Sequence, residues 1–236
     1  IGDVVSIRGQ REVRDGGRLP PGMKILFEDA SLLVIEKPER LLSMGSATQR
    51  DKTAYAVLTE YVRRSSDRGS DRVWIVHRLD RETSGVMVFA RTEAAKRALQ
   101  AHWDETEKRY LAVVEGHPPA DHGVLRSHLD EHGPFKVYSA ARSGRTRHAV
   151  THYRVMKRGA TRALVELTPT TGRRNQLRVH LADAGCPIVG DRKYGAETNP
   201  ARRLGLHAGV LQFTHPRSGA LVRFESPLPH DLARLL

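Results

Sequence analysis

What most limits the fold of this chain is a succession of short apolar runs closed by tight turns. "KILFEDASLLVIEKP" holds two such runs around a Glu-Asp turn and is stopped by Pro38. "THYRVMKR" and "RALVELTP" meet across Gly159-Ala160, and "LHAGVLQFTHP" and "ALVRFESPLP" meet across "RSG". Runs joined this closely pair as antiparallel strands, because a parallel crossover needs a much longer connection. Further strands are predicted at Val73–Val76, Val86–Ala90 and "KRYLAVVEG". Helices are fewer. Ala54, Val57, Leu58, Tyr61 and Val62 recur at helical spacing within 52–64, "TEAAKRALQAHWDE" opens on a capping Thr, and "RRNQLRVHLADAG" ends on glycine. The pattern predicts an α+β chain with a mostly antiparallel sheet.

The 236 residues suffice for one good core. Residues 8–22, "RGQREVRDGGRLPPG", mix charge with paired glycines and paired prolines, which marks a joint. The expected division is therefore a tail, 1–22, followed by one catalytic domain, 23–236. Cys186 is the only cysteine, so no internal disulfide can form and a cytoplasmic setting is expected. Its neighbours, "AGCPIVGD", suggest packing. No apolar run reaches the length of a membrane span and the start carries no signal-peptide pattern, so no membrane association is expected. The opening Ile leaves room for an upstream segment.

Lys plus Arg exceed Asp plus Glu by 39 to 27, a formal charge of +12, which favours an anionic partner, with nucleic acid foremost. Between His132 and Val165 lie Lys136, Arg142, Arg145, Arg147, Arg154, Lys157, Arg158 and Arg162 with no acidic residue among them, an electrostatic footprint suited to a phosphate backbone. Arg173 and Arg174 follow the small-residue turn "TPTTG", and Arg174 and Arg178 would share a helix face. His117, His122, His128 and His132 crowd one region, but their spacing fits no zinc pattern and they read as solvated loop residues.

One carboxylate stands out. Asp80 follows an apolar run, sits between Arg78 and Arg81, and precedes a Ser-Gly turn. Taken alone, it reads as a turn-former bonding the next backbone amides.

"VHRLDRETSGVMVFART", "KRYLAVVEG" and "TGRRNQLRVHLADAGCPIVGDRKYG" resemble, in this order, the three motifs of the RluA-type RNA pseudouridine synthases, and the likeness runs from about Lys24 to the C-terminus, including "EKPERLLSMGS" and "LHAGVLQFTHP". The resemblance implies a catalytic domain with a central bent, mostly antiparallel sheet, flanking helices and a basic active-site cleft. It implies uridine-to-pseudouridine isomerisation in structured RNA, ribosomal RNA, transfer RNA or both, without metal or cofactor, by a monomer with no obligate protein partner. Asp80 would be the nucleophile, attacking the ribose anomeric carbon or carbon 6 of uracil. Arg178 would pair with it and keep it ionised. Tyr110 would stack on the base near the proton leaving carbon 5, Leu177 would pack under the ring, and Arg78 would enter the helix where the nucleotide swings out. On the charge reading above, Arg173, Arg174, Arg142, Arg145 and Arg147 would hold RNA. Asn175 stands where His is common, and "ERLL" replaces a glycine-containing segment after Lys37-Pro38. "IGDVVSI" resembles the closing strand of a small RNA-binding module, and on that likeness most of the module would be expected to lie outside this sequence.

Overall fold

The computed structural model describes residues 19–45, 52–66, 71–133 and 136–236 in full and the backbone of 5–7. Most of the expected joint, residues 8–18, lies outside the described residues. In chain order the strands are β1 (Val5–Ile7), β2 (Lys24–Glu28), β3 (Leu32–Lys37), β4 (Trp74–Ile75), β5 (Ser84–Ala90), β6 (Glu107–Glu115), β7 (His122–Asp130), β8 (Tyr138–Ala140), β9 (Thr146–Arg158), β10 (Arg162–Pro169), β11 (Leu206–Thr214) and β12 (Leu221–Glu225). The α-helices are α1 (Ala54–Arg64), α2 (Glu93–Ala101), α3 (Gln176–Asp183) and α4 (His230–Ala233). Few helices and many antiparallel strands make this an α+β chain, as the turn spacing predicts.

The chain forms two compact units, one of residues 1–107 with 208–226 and the other of 108–207 with 227–236. In the first, the strand order is β2-β3-β5-β11-β12-β1, with β4 also on β5. The β2–β3, β3–β5, β4–β5 and β11–β12 registers are antiparallel. Val5–Ile7, read above as the remnant of a separate module, runs parallel to β12. All seven residues of β5 are buried, so this strand is covered on both faces and reads as one apolar run. Val86, Val88, Leu32, Val34, Phe213 and Phe224 build the core there with Ala95 and Leu99 of α2.

Among the described residues, both α-helices of this unit start where a threonine caps them. Thr53 Oγ1 accepts from the Ala56 N–H and Thr92 Oγ1 from the Ala95 N–H, each at 3.1 Å. The cap sets the start of α1 two residues later than the periodicity predicts. Gly85 carries the tightest approach: at φ +118 its backbone faces Ala208 so closely that a Cβ would lie 2.2 Å from the carbonyl oxygen. Only glycine fits there.

In the second unit the order is β6-β10-β9-β7-β8. The β9–β10 hairpin turns where expected, with the Gly159 N–H donating to the Arg162 carbonyl at 2.8 Å. β7 and β8 are absent from the expectation. β7 pairs with β9 from His122↔Arg154 to Asp130↔Thr146, so His122 and His128 are strand residues rather than loop residues. Among the described residues no cluster of His, Cys, Asp and Glu side chains could hold a metal ion.

α3 is buried nearly all round, through Gln176, Leu177, Val179, His180 and Leu181. Leu177 and Leu181 join Ala112, Val165, Leu167 and Cys186 in this unit's main core, and burial pushes the Cys186 thiol up to about 11, consistent with a packing role. No helix among the described residues is long and apolar enough to cross a membrane.

Candidate active site

In the first unit, Asp80 lies half-buried in the connection between β4 and β5, one turn ahead of the most enclosed strand. The Thr83 N–H closes that turn on the Asp80 carbonyl at 3.1 Å. Both neighbours of Asp80 are pinned. Ser43 Oγ donates to the Leu79 carbonyl at 2.7 Å and accepts from the Leu79 N–H at 3.0 Å. On the other side, the fully buried Lys37 sends its Nζ to the carbonyls of Pro38 and Leu41 at 2.8 Å and of Arg81 at 3.3 Å. A lysine this deep persists because its donors are satisfied by carbonyl oxygens. Arg78 and Arg81 are exposed, while the intervening Leu79 is buried.

In the second unit, Tyr110 is half-buried on β6 opposite Leu167 of β10 and packs on the cluster that contains Leu177. Asn175 takes the left-handed conformation at φ 54, which asparagine tolerates better than most residues, and α3 begins only after it. Arg174 therefore precedes the helix and, contrary to the expectation from spacing, does not share a helix face with Arg178. Its Nη2 donates to the Glu131 carbonyl at 2.9 Å and also to that of Gly133, while its backbone N–H meets the Glu131 carboxylate. Arg173 is exposed, with Nε 3.1 Å from the His148 carbonyl.

Arg178 binds a carboxylate that the sequence reading did not name. Its Nε and Nη2 each lie 2.7 Å from an oxygen of Asp191, and its guanidinium centre is 5.0 Å from the centre of the Tyr194 ring. The Tyr194 hydroxyl accepts from Asn175 Nδ2 at 3.0 Å and from the Val137 N–H at 3.2 Å.

The basic run between His132 and Val165 divides in two. Arg154 pairs with Glu166 at 3.1 Å and Arg158 with Asp121 at 2.8 Å, so cross-strand pairing supplies the acids that the linear stretch lacks. Arg142, Arg145 and Arg147 are exposed around the start of β9. Asp130, one carboxylate beside this region, is held below the usual range by the His132 backbone N–H, with the His132 ring and Arg145 adding to the effect.

A sequence profile of the RNA pseudouridylate synthase family matches residues 31–183, which is more than half of the chain. The chain belongs to this family. It is thus an RNA pseudouridine synthase, an isomerase. Ribosomal large subunit pseudouridine synthase D of Xanthomonas campestris is 38% identical over 230 residues, covering 91% of this chain and 68% of its own. An uncharacterised RNA pseudouridine synthase of Bacillus subtilis is 34% identical over 100% of this chain and 79% of its own. Among solved structures, human RNA pseudouridylate synthase domain containing 4 superposes with a TM-score of 0.75 at 30% identity, covering 89% of this chain and 92% of that one.

Two buried partners of the expected site residues and their neighbours are not marked by the sequence. Lys37 lies inside the quoted "EKPERLLSMGS" segment, but nothing local marks it as buried. Asp191 stands in the quoted "PIVGDRKYG", beyond the profile match, and its partner precedes it on the far side of the Gly185 turn.

Proposed function

We propose that this synthase isomerises uridine in structured RNA, with ribosomal RNA the leading substrate and transfer RNA the alternative, through nucleophilic attack by Asp80 and without metal or cofactor. The observation that carries the reading is the double clamp on the Asp80 connection. Lys37 and Ser43 fix the residues on either side, and a nucleophile must be held in place before substrate arrives. Relatives named for the large ribosomal subunit support the choice of substrate.

In this reading Tyr110 stacks on the uracil near the carbon-5 proton, Leu177 packs under the ring, and Arg178 is the cation that an ionised nucleophile requires. Arg78 takes the place of the extruded nucleotide. Arg142, Arg145, Arg147 and Arg173 contact phosphates. Arg174, already committed to the turn at 131–133, adds positive potential more than a new hydrogen bond. Residues 23–236 act as the catalytic region, with 1–22 as a tail, and the protein works as a cytoplasmic monomer.

The test is tritium release from ribosomal and transfer RNA labelled at carbon 5 of uracil, comparing the protein with Asp80→Asn. Release by the parent alone supports the assignment, and the responding RNA identifies the substrate class. Equal release by both proteins removes Asp80 from the mechanism, and free uracil in solution would mark a hydrolase instead.

A further inference from the structure

We propose that Asp191 is a positioning residue for this reaction, acting through Arg178 with Tyr194 and Asn175 as the rest of the frame. The proposal rests on the reading of Arg178 as part of the catalytic set. An arginine side chain has several rotatable bonds, and left to itself its guanidinium samples many orientations. Here Asp191 engages both Nε and Nη2 at 2.7 Å, a fork-to-fork geometry that fixes the plane of the group as well as its place. The arginine side chain is 11% exposed and the aspartate 1%, so water competes little for either partner.

The fork is held from a second side. The Tyr194 ring lies 5.0 Å from the guanidinium centre, and its hydroxyl is tied to Asn175, the residue that opens the helix bearing Arg178. Asp191 is itself anchored, since its N–H donates to the Ile188 carbonyl at 2.9 Å and its own carbonyl accepts from Tyr194 at 2.9 Å and Ala196 at 3.1 Å. Helix, turn and aromatic ring thus converge on one guanidinium. Asp191 also offsets the arginine's charge at contact distance, so what the frame contributes is orientation more than net positive charge. For this frame a fixed donor geometry matters more than charge, because displacements of about 1 Å in a catalytic group cost on the order of 10²-fold in rate.

The experiment is a double-mutant cycle on tritium release from carbon-5-labelled ribosomal RNA, with the parent, Asp191→Asn, Arg178→Lys and the double variant, each checked for fold by circular dichroism. Asp191→Asn is expected to lower kcat by about 10- to 100-fold with KM nearly unchanged. In the Arg178→Lys background the same change is expected to cost little, because the planar fork that Asp191 orients is gone. A loss of equal factor in both backgrounds, a rise confined to KM, or a parent-like kcat for Asp191→Asn overturns the proposal. Full activity of Arg178→Lys shows that a cation without a planar fork suffices and overturns the proposal, whereas full activity of Arg178→Ala overturns the catalytic reading of Arg178 itself. Should Asp191→Asn fail to fold, Asp191→Glu keeps the buried pair charged and carries the same cycle, with the fork displaced by one methylene.

Discussion

Lowering the pH from 7 to 5 should destabilise this protein through His180 by an amount that can be worked out in advance. The imidazole is 3% exposed on α3, with Nε2 3.0 Å from Ser127 Oγ and Nδ1 2.9 Å from Thr151 Oγ1. Burial lowers its pKa from 6.5 to about 4, opposed by Asp183 and reinforced by His148. Below pH 6.5 the unfolded chain takes up a proton that the folded chain refuses, so stability falls as pH falls, until the folded group titrates near pH 4. Each unit of that window is about 1.4 kcal/mol, which gives about 2 kcal/mol between pH 7 and 5 and roughly 3 in full. His180→Gln removes the titration while leaving an amide able to bond both hydroxyls. Urea unfolding of parent and variant at the two pH values isolates the term, since the other groups contribute alike to both. The parent should lose about 2 kcal/mol more than the variant. Losses equal within about 0.5 kcal/mol would refute the reasoning, because a neutral buried histidine would then not be what the folded state holds.

Lys37→Met leaves the carbonyls of Pro38, Leu41 and Arg81 without this donor and should destabilise by about 2–3 kcal/mol, read by calorimetry, with a drop in kcat as the Asp80 connection loosens. Gly85→Ala drives a Cβ to 2.2 Å from the Ala208 carbonyl oxygen at a positive φ and should cost more than about 3 kcal/mol, visible as lost soluble yield or a lowered urea midpoint. Replacing Arg142, Arg145 and Arg147 together by Ala should raise KM for RNA, leave kcat within about two-fold, and flatten log KM against log salt by about two to three units of slope. An unchanged slope would show that these side chains do not meet phosphate.

The elements legible in the sequence are those with local punctuation. The Gly159 turn, the "RSG" hairpin, the Thr92 cap and the glycine after α3 each follow from chemistry within a few residues. β7 was not legible because "HGVLRSHLD" has no period of its own, and its strand conformation comes from pairing along β9. Pairing on both sides of β9 corrects the picture of an unrelieved basic run, since Glu166 of β10 meets Arg154 and Asp121, just ahead of β7, meets Arg158. Arg174 looked like a helical neighbour of Arg178 because spacing alone does not reveal that Asn175 would adopt φ 54 and delay the helix. The motif residues themselves could be named from their order. What braces them could not, since Lys37 reaches Arg81 and Asp191 reaches Arg178 only through the folded backbone.

The way the units interleave along the chain sets a schedule for synthesis. The unit that carries Asp80 is built from residues 1–107 and completed by 208–226, and the other from 108–207 completed by 227–236. On the ribosome, β5 emerges long before β11, whose Ala208 backbone packs against Gly85. The edge of that strand which β11 will take must therefore stay open while the whole intervening stretch is translated, although β3 and α2 are already present to cover the rest of it. Closing so long a loop is slow, and the waiting intermediate offers an open strand edge to other chains. Translation speed through residues 108–207, and chaperones that cover a nascent sheet edge, thus bear on how much of this protein reaches its folded state.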